Sequence, residues 1–466
     1  MSARPQGADA TTAGDRPEDR LPYSVCVGFG VGSLGISIML NTVTVFFPVL
    51  MTTVLGQSAA LAGILLTVSK IYDAISDIVI GVASDHTVSR MGRRRPYLLA
   101  GAFISALSFM MIFMPPSLDG GWFAVYMGTA LIVYSTGYSL FAVPYVAMAG
   151  EMTDGYHERT RLLSYRTFFI AIGQLVAAGG MAAIVRIAGG GSFGYAIMGA
   201  AAASIILTTM ILSFAGTAKA RRVERAPKTN LPKMAQVASL ARNAPFVKLM
   251  GAKAFLYLAI AVVSTTKLLF LLNVLGVGYD GLVHLTVSQN LVAMATVPAW
   301  TWAGRRYGKT FCYLLAIAIL TLLYASYVFT GPGISVLELW VRGAVNGIAA
   351  SGVTLMGIAM LPDAMEYDRK KTGQRREGLY SSIYAMLEKV AFAIGPGLIG
   401  VLLAAAGFMP TTGGQIIEQS QSAVQALYAG MAVIPALLTL VSFAIMATYR
   451  LDAAALKAIP EYDARS

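Results

Sequence analysis

Twelve apolar stretches separated by short polar loops dominate this chain. They lie at about 23–55, 58–84, 96–115, 122–149, 162–186, 194–216, 246–274, 282–303, 310–330, 335–361, 378–405 and 425–448. Many approach the roughly 20 residues that a helix needs to cross about 30 Å of hydrocarbon. Strands of a membrane barrel would read instead as alternating segments of about 10 residues, so the barrel class is excluded. The pattern predicts an all-α integral membrane protein with twelve transmembrane helices. Composition agrees: 12% of residues are charged and 56% hydrophobic, against about 25% charged in an average soluble domain.

The formal charge of +12 raises the question of a nucleic-acid partner, but its distribution answers otherwise. With both termini on the same side, 27 of the 35 Lys and Arg residues fall in the tails and loops of that side. The loops of the other side hold one, Arg186. This asymmetry is the positive-inside signal, so both termini are expected in the cytoplasm and nucleic acid is not expected as a partner. Residues 1–22 are polar and lack an apolar core followed by a cleavage site, which predicts a cytoplasmic tail rather than a signal peptide. Cys26 and Cys312 are the only cysteines and both sit in apolar segments, so no disulfide framework or CxxC metal pair is expected.

The longest basic linker, at 217–245, divides the spans six and six. The expected organisation is a tail at 1–22, a six-helix bundle at 23–216, the linker, a second six-helix bundle at 246–450, and a tail at 451–466. Two such halves joined by a cytoplasmic linker resemble the architecture of major facilitator transporters, whose substrate sites lie near the midplane between the halves. MGRRRPY at 91–97 and GRRYGKT at 304–310 follow equivalent spans and echo each other weakly.

Two motif matches lack their context. Gly30, Gly32 and Gly35 spell GxGxxG, but within an apolar helix and without a βαβ unit. Small residues there permit close helix approach. GGSFG at 190–194 matches a nucleophile elbow in spelling only, since it falls in a glycine-rich turn. His86, His157 and His284 are far apart and no HExxH occurs, so a zinc hydrolase has no ligand set. No nucleophile and base pair can be named, and an enzyme is not expected.

The stretch KIYDAISDIVIG at 70–81 carries the most informative chemistry. Helical geometry puts Asp73 and Asp77 on one face, with Lys70 on the same stripe. A charge at membrane depth costs about 2.5–3.5 kcal/mol on insertion scales, so such residues face the protein interior and carry function. Two carboxylates this close do not both ionise comfortably unless one holds a proton or a cation lies between them. The pair therefore reads as a site for Na⁺ or H⁺, in keeping with the oxygen preference of hard cations. In the bland alternative Lys70 and Asp73 neutralise each other and lock helices together, which leaves Asp77 unexplained. Glu388 and Lys389 in the eleventh span add a cation able to occupy the acidic site when it is empty. Being adjacent they point to different faces, and either can instead snorkel or pair locally.

YDAISDIVIGVASDHTVSRMGRRRPY at 72–97 resembles the signature of the glycoside-pentoside-hexuronide:cation symporters, the melibiose-permease-like branch of the major facilitator superfamily. GFGVGSLG at 28–35, VPYVAMAGEMTDGYHERTRLLSYR at 143–166 and PDAMEYDRKKTGQRREGLYSSIYAMLEK at 362–389 agree, so the resemblance covers nearly the whole chain. It implies a secondary transporter of the plasma membrane, or of a bacterial inner membrane, working by alternating access as a monomer with Na⁺ or H⁺ and no cofactor. It implies cation ligands at Asp73, Asp77 and Ser139, with Na⁺ as the metal if sodium is coupled. Coupling or substrate roles fall to Lys70, Arg166, Lys389, Tyr138 and Tyr145. Two acids that hold sugar hydroxyls in melibiose-type members correspond here to Gly35 and Ala142. Losing both weakens recognition of a neutral sugar, so a glycoside, an anionic solute and an amphipathic lipid all remain open as substrates. A cation-independent facilitator and a non-transporting receptor stand as rivals.

Asp85, Arg93, Arg94 and Arg95 at the inner end of the second span face Glu151 and Arg159 after the fourth, and Asp363 and Glu366 after the tenth. Opposite charges on loops of both halves are expected to close the inner mouth and to part when it opens. Exposed pairs contribute at most about 1 kcal/mol each, which suits a gate.

Overall fold

The computed structural model describes residues 21–118, 120–153, 156–218, 220, 240–374, 376–451 and 453–458. The first half contains α1 (Tyr23–Val49), α2 (Ala59–His86), α3 (Arg95–Phe113), α4 (Gly121–Met152), α5 (Tyr156–Leu175), α6 (Met181–Ile187) and α7 (Gly191–Gly216). The second contains α8 (Ala244–Asn273), α9 (Gly278–Tyr307), α10 (Lys309–Ser326), α11 (Val336–Thr372), α12 (Glu377–Ala405), α13 (Gln421–Tyr428) and α14 (Ile434–Ala447), followed by the short α15 (Ala453–Ala458). π-Helical turns extend α1 through Leu50–Val54, join α5 to α6 through Val176–Gly180, and join α13 to α14 through Ala429–Val433. Twelve long helical rods result, and among the described residues no strand forms; one isolated antiparallel bridge pairs Leu55 with Thr412.

Ten of the twelve rods are long and apolar enough to cross a membrane. The two that fall short by length and composition are α2 and α9. The physical reason is their content: α2 carries Lys70, Asp73, Asp77 and Asp85, and α9 carries Asp280, His284, Gln289, Asn290, Arg305 and Arg306. Both rods lie where the two halves meet, which gives the central charges Lys70, Asp73 and Asp77 a protein rather than a lipid surrounding.

The halves share one packing scheme. In the first, α1 packs on α5 and α7, α3 on α4 and α7, and α2 on α4. In the second, α8 packs on α12 and α14, α10 on α11 and α14, and α9 on α11, which is the same set of partners. Close approach rests on small residues: a Cβ added at Gly28 would lie 2.8 Å from Gly216 Cα, and one at Gly32 would lie 2.5 Å from Ser213 Oγ. The GxGxxG run is therefore a packing surface. Ser58, Asn243, Ser335 and Ser420 cap the N-termini of α2, α8, α11 and α13 by accepting backbone N–H groups.

Between the halves, α2 packs on α12, α6 on α9, and α1 on α8. These contacts concentrate at the end opposite the basic loops. There Thr411 N donates to Thr52 O at 2.8 Å, Gly413 N to Val54 O at 2.9 Å and Gly414 N to Thr53 O at 3.0 Å. The carbonyls are those left free at the end of α1 and its π-turn. Arg186 pairs with Asp280 at 2.8 Å, and the Tyr195 and Tyr279 hydroxyls are 3.1 Å apart.

One arc of α12 shows what happens at the other end. In its outer half Ala393, Pro396 and Gly400 are buried, with Thr67 Oγ1 donating to Ala393 O at 2.7 Å. Toward the basic end the same arc carries Ser382, Ala385 and Met386, all exposed. The halves are thus joined at one end and parted at the basic end. Gly63 sits at the joined end, where an added Cβ would meet Pro396 O at 2.5 Å and Gly400 Cα at 3.0 Å. Gly63→Ala is expected to weaken this closure by about 1–3 kcal/mol. Labelling of a cysteine placed at the outer end should rise accordingly; unchanged labelling would refute the role of this contact.

Candidate functional site

The α2 stripe turns inward onto α4 and α12. Asp73 is 4% exposed. Ser139 on α4 donates to Asp73 Oδ1 at 3.2 Å and lies 2.7 Å from Ser76 Oγ. A hydroxyl ladder aligns the two helices above it, with Ser69 and Ser135 at 2.8 Å and Tyr72 and Thr136 at 3.0 Å.

Lys389 enters from the other half. Its Nζ is 3.4 Å from Asp73 Oδ2 and hydrogen-bonds Asp77 Oδ2. One ammonium group thus bridges both carboxylates. Asp77 Oδ1 is buried and has no hydrogen-bond partner among the described residues. Lys70 does not clamp the pair; its ammonium lies 5.7 Å from the Tyr134 ring centroid. Two unit charges 4 Å apart attract by about 4 kcal/mol at an effective dielectric near 20. Lys389 thus ties α12 of the second half to α2 of the first.

The donor set tests which ion fits. Two carboxylates and the hydroxyls of Ser76 and Ser139 converge here, with one carboxylate oxygen unsatisfied. Among the described residues no three His, Cys, Asp or Glu side chains gather. That set suits a monovalent ion or proton that binds and leaves, and falls short of the ligand count of a resident zinc or calcium.

The remaining predicted residues fall in three places. Tyr138 on α4 is half-buried, one residue from Ser139. Arg166 points its Nε into the interior with no partner among the described residues, while its carbonyl accepts from Ser33 Oγ at 2.9 Å. Tyr145 is not brought to the site: it is fully buried, stacks on Phe29 at 4.3 Å and donates to the Phe29 carbonyl at 2.6 Å. It joins α1 to α4 as core. The two positions matched to sugar-binding acids carry no polar side chain here. Gly35 faces Thr209 on α7, where a Cβ would lie 2.7 Å from Oγ1, and Ala142 is buried.

Among the described residues the loop charges have these partners within their own half. Glu151 Oε1 accepts from Arg93 at 2.5 Å and Arg94 at 2.8 Å, and Arg94 also pairs with Asp85 at 2.8 Å. Arg95 Nη2 donates to Phe214 O at 2.8 Å. In the second half Lys309 pairs with Asp363 at 2.7 Å and Arg369 with Glu366 at 2.6 Å. The side chain of Arg159 and most of the 217–245 linker lie outside the described residues.

Sequence reasoning passed over Lys253 on α8. It is 1% exposed, donates to the Tyr384 carbonyl at 2.7 Å, and lies 3.5 Å from Glu388 and 3.2 Å from the Tyr384 ring centroid. The signal was available, since Lys253 is a charge at membrane depth like Asp73. Lys267 on the same helix was passed over too, and has no hydrogen bond or ion pair among the described residues.

Residues 28–453 match the family described as MFS/sugar transport protein. The chain belongs to this family. It is a multi-pass membrane transporter, not an enzyme, and takes a small-molecule substrate. The isoprimeverose transporter of Lactiplantibacillus pentosus is 26% identical over 84% of this chain and 82% of its own. A putative glycoside/cation symporter of Escherichia coli, YagG, is 24% identical over 93% of each chain. Among solved structures, a bacterial homologue of the human lysosomal transporter Spinster, inward-facing and unoccupied, has a TM-score of 0.65 at 14% identity, covering 97% of this chain and all of that one. That likeness speaks to the fold.

Proposed function

We propose that this transporter is a symporter that couples Na⁺ or H⁺ at Asp73, Asp77 and Ser139 to uptake of a glycoside. Twelve spans, cytoplasmic termini and two six-helix halves at 23–216 and 246–450 complete the reading. One observation carries it: Lys389 of the second half occupies the carboxylate pair of the first. A coupling cation at that pair displaces Lys389 and so changes how the halves hold each other. The shift it produces equals its differential affinity for the two states. The basic end then faces the cytoplasm, and the present state is open inward. In the outward-open state Asp85, Arg93, Arg94, Arg95, Glu151, Arg159, Asp363 and Glu366 exchange partners across the two halves as those loops meet.

A second reading, an anionic solute such as a hexuronide or a sulfonated sugar, draws on Arg166 and Lys267. Neither has a side-chain partner among the described residues, and an interior cation without a counter-charge favours an anion. Proteoliposomes containing the purified protein separate these readings. Isoprimeverose, other glycosides, a hexuronide and an amphipathic lipid are offered under imposed Na⁺ or pH gradients. Accumulation of a glycoside against its gradient is the expected result. A compound that binds but is never concentrated under either gradient would refute symport and leave a facilitator or receptor.

A further inference from the structure

Within that symport reading, we infer that Glu388 on α12 is the carboxylate that accepts substrate hydroxyls, with Lys253 as its positioning residue. A transporter of a hydroxyl-rich solute needs strong acceptors in its binding space, because buried polar groups without partners are what reject the wrong substrate. Gly35 and Ala142 supply none, and Gly35 is packed against α7. Asp73 and Asp77 are held by Lys389. Glu388 is the carboxylate left over.

Its placement fits the task. Glu388 lies on the arc of α12 that also carries Ser381, Ala385, Lys389 and Phe392, opposite the exposed apolar arc of Val390, Ile394, Leu398 and Val401. Its side chain is 47% exposed, on the face of α12 turned away from that apolar arc. The Lys253 ammonium holds it at only 3.5 Å and spends its shorter bond on the Tyr384 carbonyl, so carboxylate lone pairs remain open. Tyr257 and Phe392 stand beside it, with ring centroids 6.5 Å apart, and give apolar faces against which a sugar ring packs. One further feature follows from adjacency. Glu388 and Lys389 are neighbours on one helix, so a substrate drawn to the first moves the backbone that delivers the second to Asp73 and Asp77.

The test is calorimetric binding to the full-length purified protein. The probes are isoprimeverose, melibiose and methyl glucoside, with the monodeoxy analogues of whichever binds tightest to wild type. Glu388→Gln is expected to weaken binding by about 10- to 100-fold, the range for a hydrogen bond to a charged acceptor. One deoxy analogue should lose as much on wild type and lose nothing further on Glu388→Gln. Glu388→Asp, which keeps the charge but shortens its reach, should fall between and guards against misfolding of the first variant. A structural role would weaken all analogues equally in both variants, and that outcome overturns the inference, as does a wild type that binds none of the three sugars. Gradient-driven uptake by wild type is recorded alongside. Binding without accumulation refutes symport while leaving the assignment of Glu388 intact.

Discussion

Asp77→Asn is expected to reduce gradient-driven accumulation to simple equilibration. An imposed potential of about 100 mV supplies about 2.3 kcal/mol per charge, which at 1.4 kcal/mol per tenfold corresponds to about 50-fold concentration. The variant should lose that whole factor. The reason lies in the charge count at the bridge. Lys389 now faces two carboxylates, an excess of one negative charge that a cation can exploit. With Asn at 77 the lysine meets Asp73 alone, the pair is balanced, and an entering cation has no vacancy to fill. Downhill equilibration should persist, because the substrate-facing walls are untouched. The measurement is radiolabelled uptake in proteoliposomes with and without the gradient. A variant that still concentrates solute as wild type does would remove Asp77 from the coupling site.

The second large effect concerns the joined end. Leu55 and Thr412 face each other across the isolated antiparallel bridge between the halves. Opposed residues in such a pair have Cα atoms about 4.5–5.5 Å apart, within the 4.4–6.8 Å that a disulfide spans. The double variant Leu55→Cys, Thr412→Cys should therefore oxidise readily. Cys26 and Cys312 are buried and free and offer no competing accessible thiols. Oxidation is expected to abolish uptake, and reduction to restore it, because alternating access requires the Thr52–Val54 and Thr411–Gly414 backbone bonds to break. Full uptake by the cross-linked protein would show that this end never has to open.

Much was legible in the chain before any coordinates. Apolar runs near 20 residues announce membrane helices because unsatisfied backbone groups are intolerable in lipid. Asp73 and Asp77 stand out because charges at membrane depth are expensive. The same cost argument, applied evenly, would have found Lys253 and Lys267. It also explains why α2 and α9 are the less apolar rods, since their polar content is tolerable only where another half covers it.

Other features have no local signature. That Lys389 rather than Lys70 bridges the carboxylates depends on α12 lying against α2, more than 300 residues away in the chain. The resemblance assigns Tyr145 a coupling or substrate role, yet helix rotation turns it into the α1–α4 core. The loop charges read as partners between halves, and in this state they pair within each half.

The order of residues by itself determined that this chain is a helical membrane protein and that its second span carries ionisable chemistry, because hydrophobic length and the desolvation of charge act locally. Which cation meets which carboxylate, which end of the molecule is shut, and whether Glu388 reaches the interior were decided only by tertiary structure. Those outcomes depend on how two bundles rotate and pack against each other, and long-range packing leaves no periodic trace in sequence.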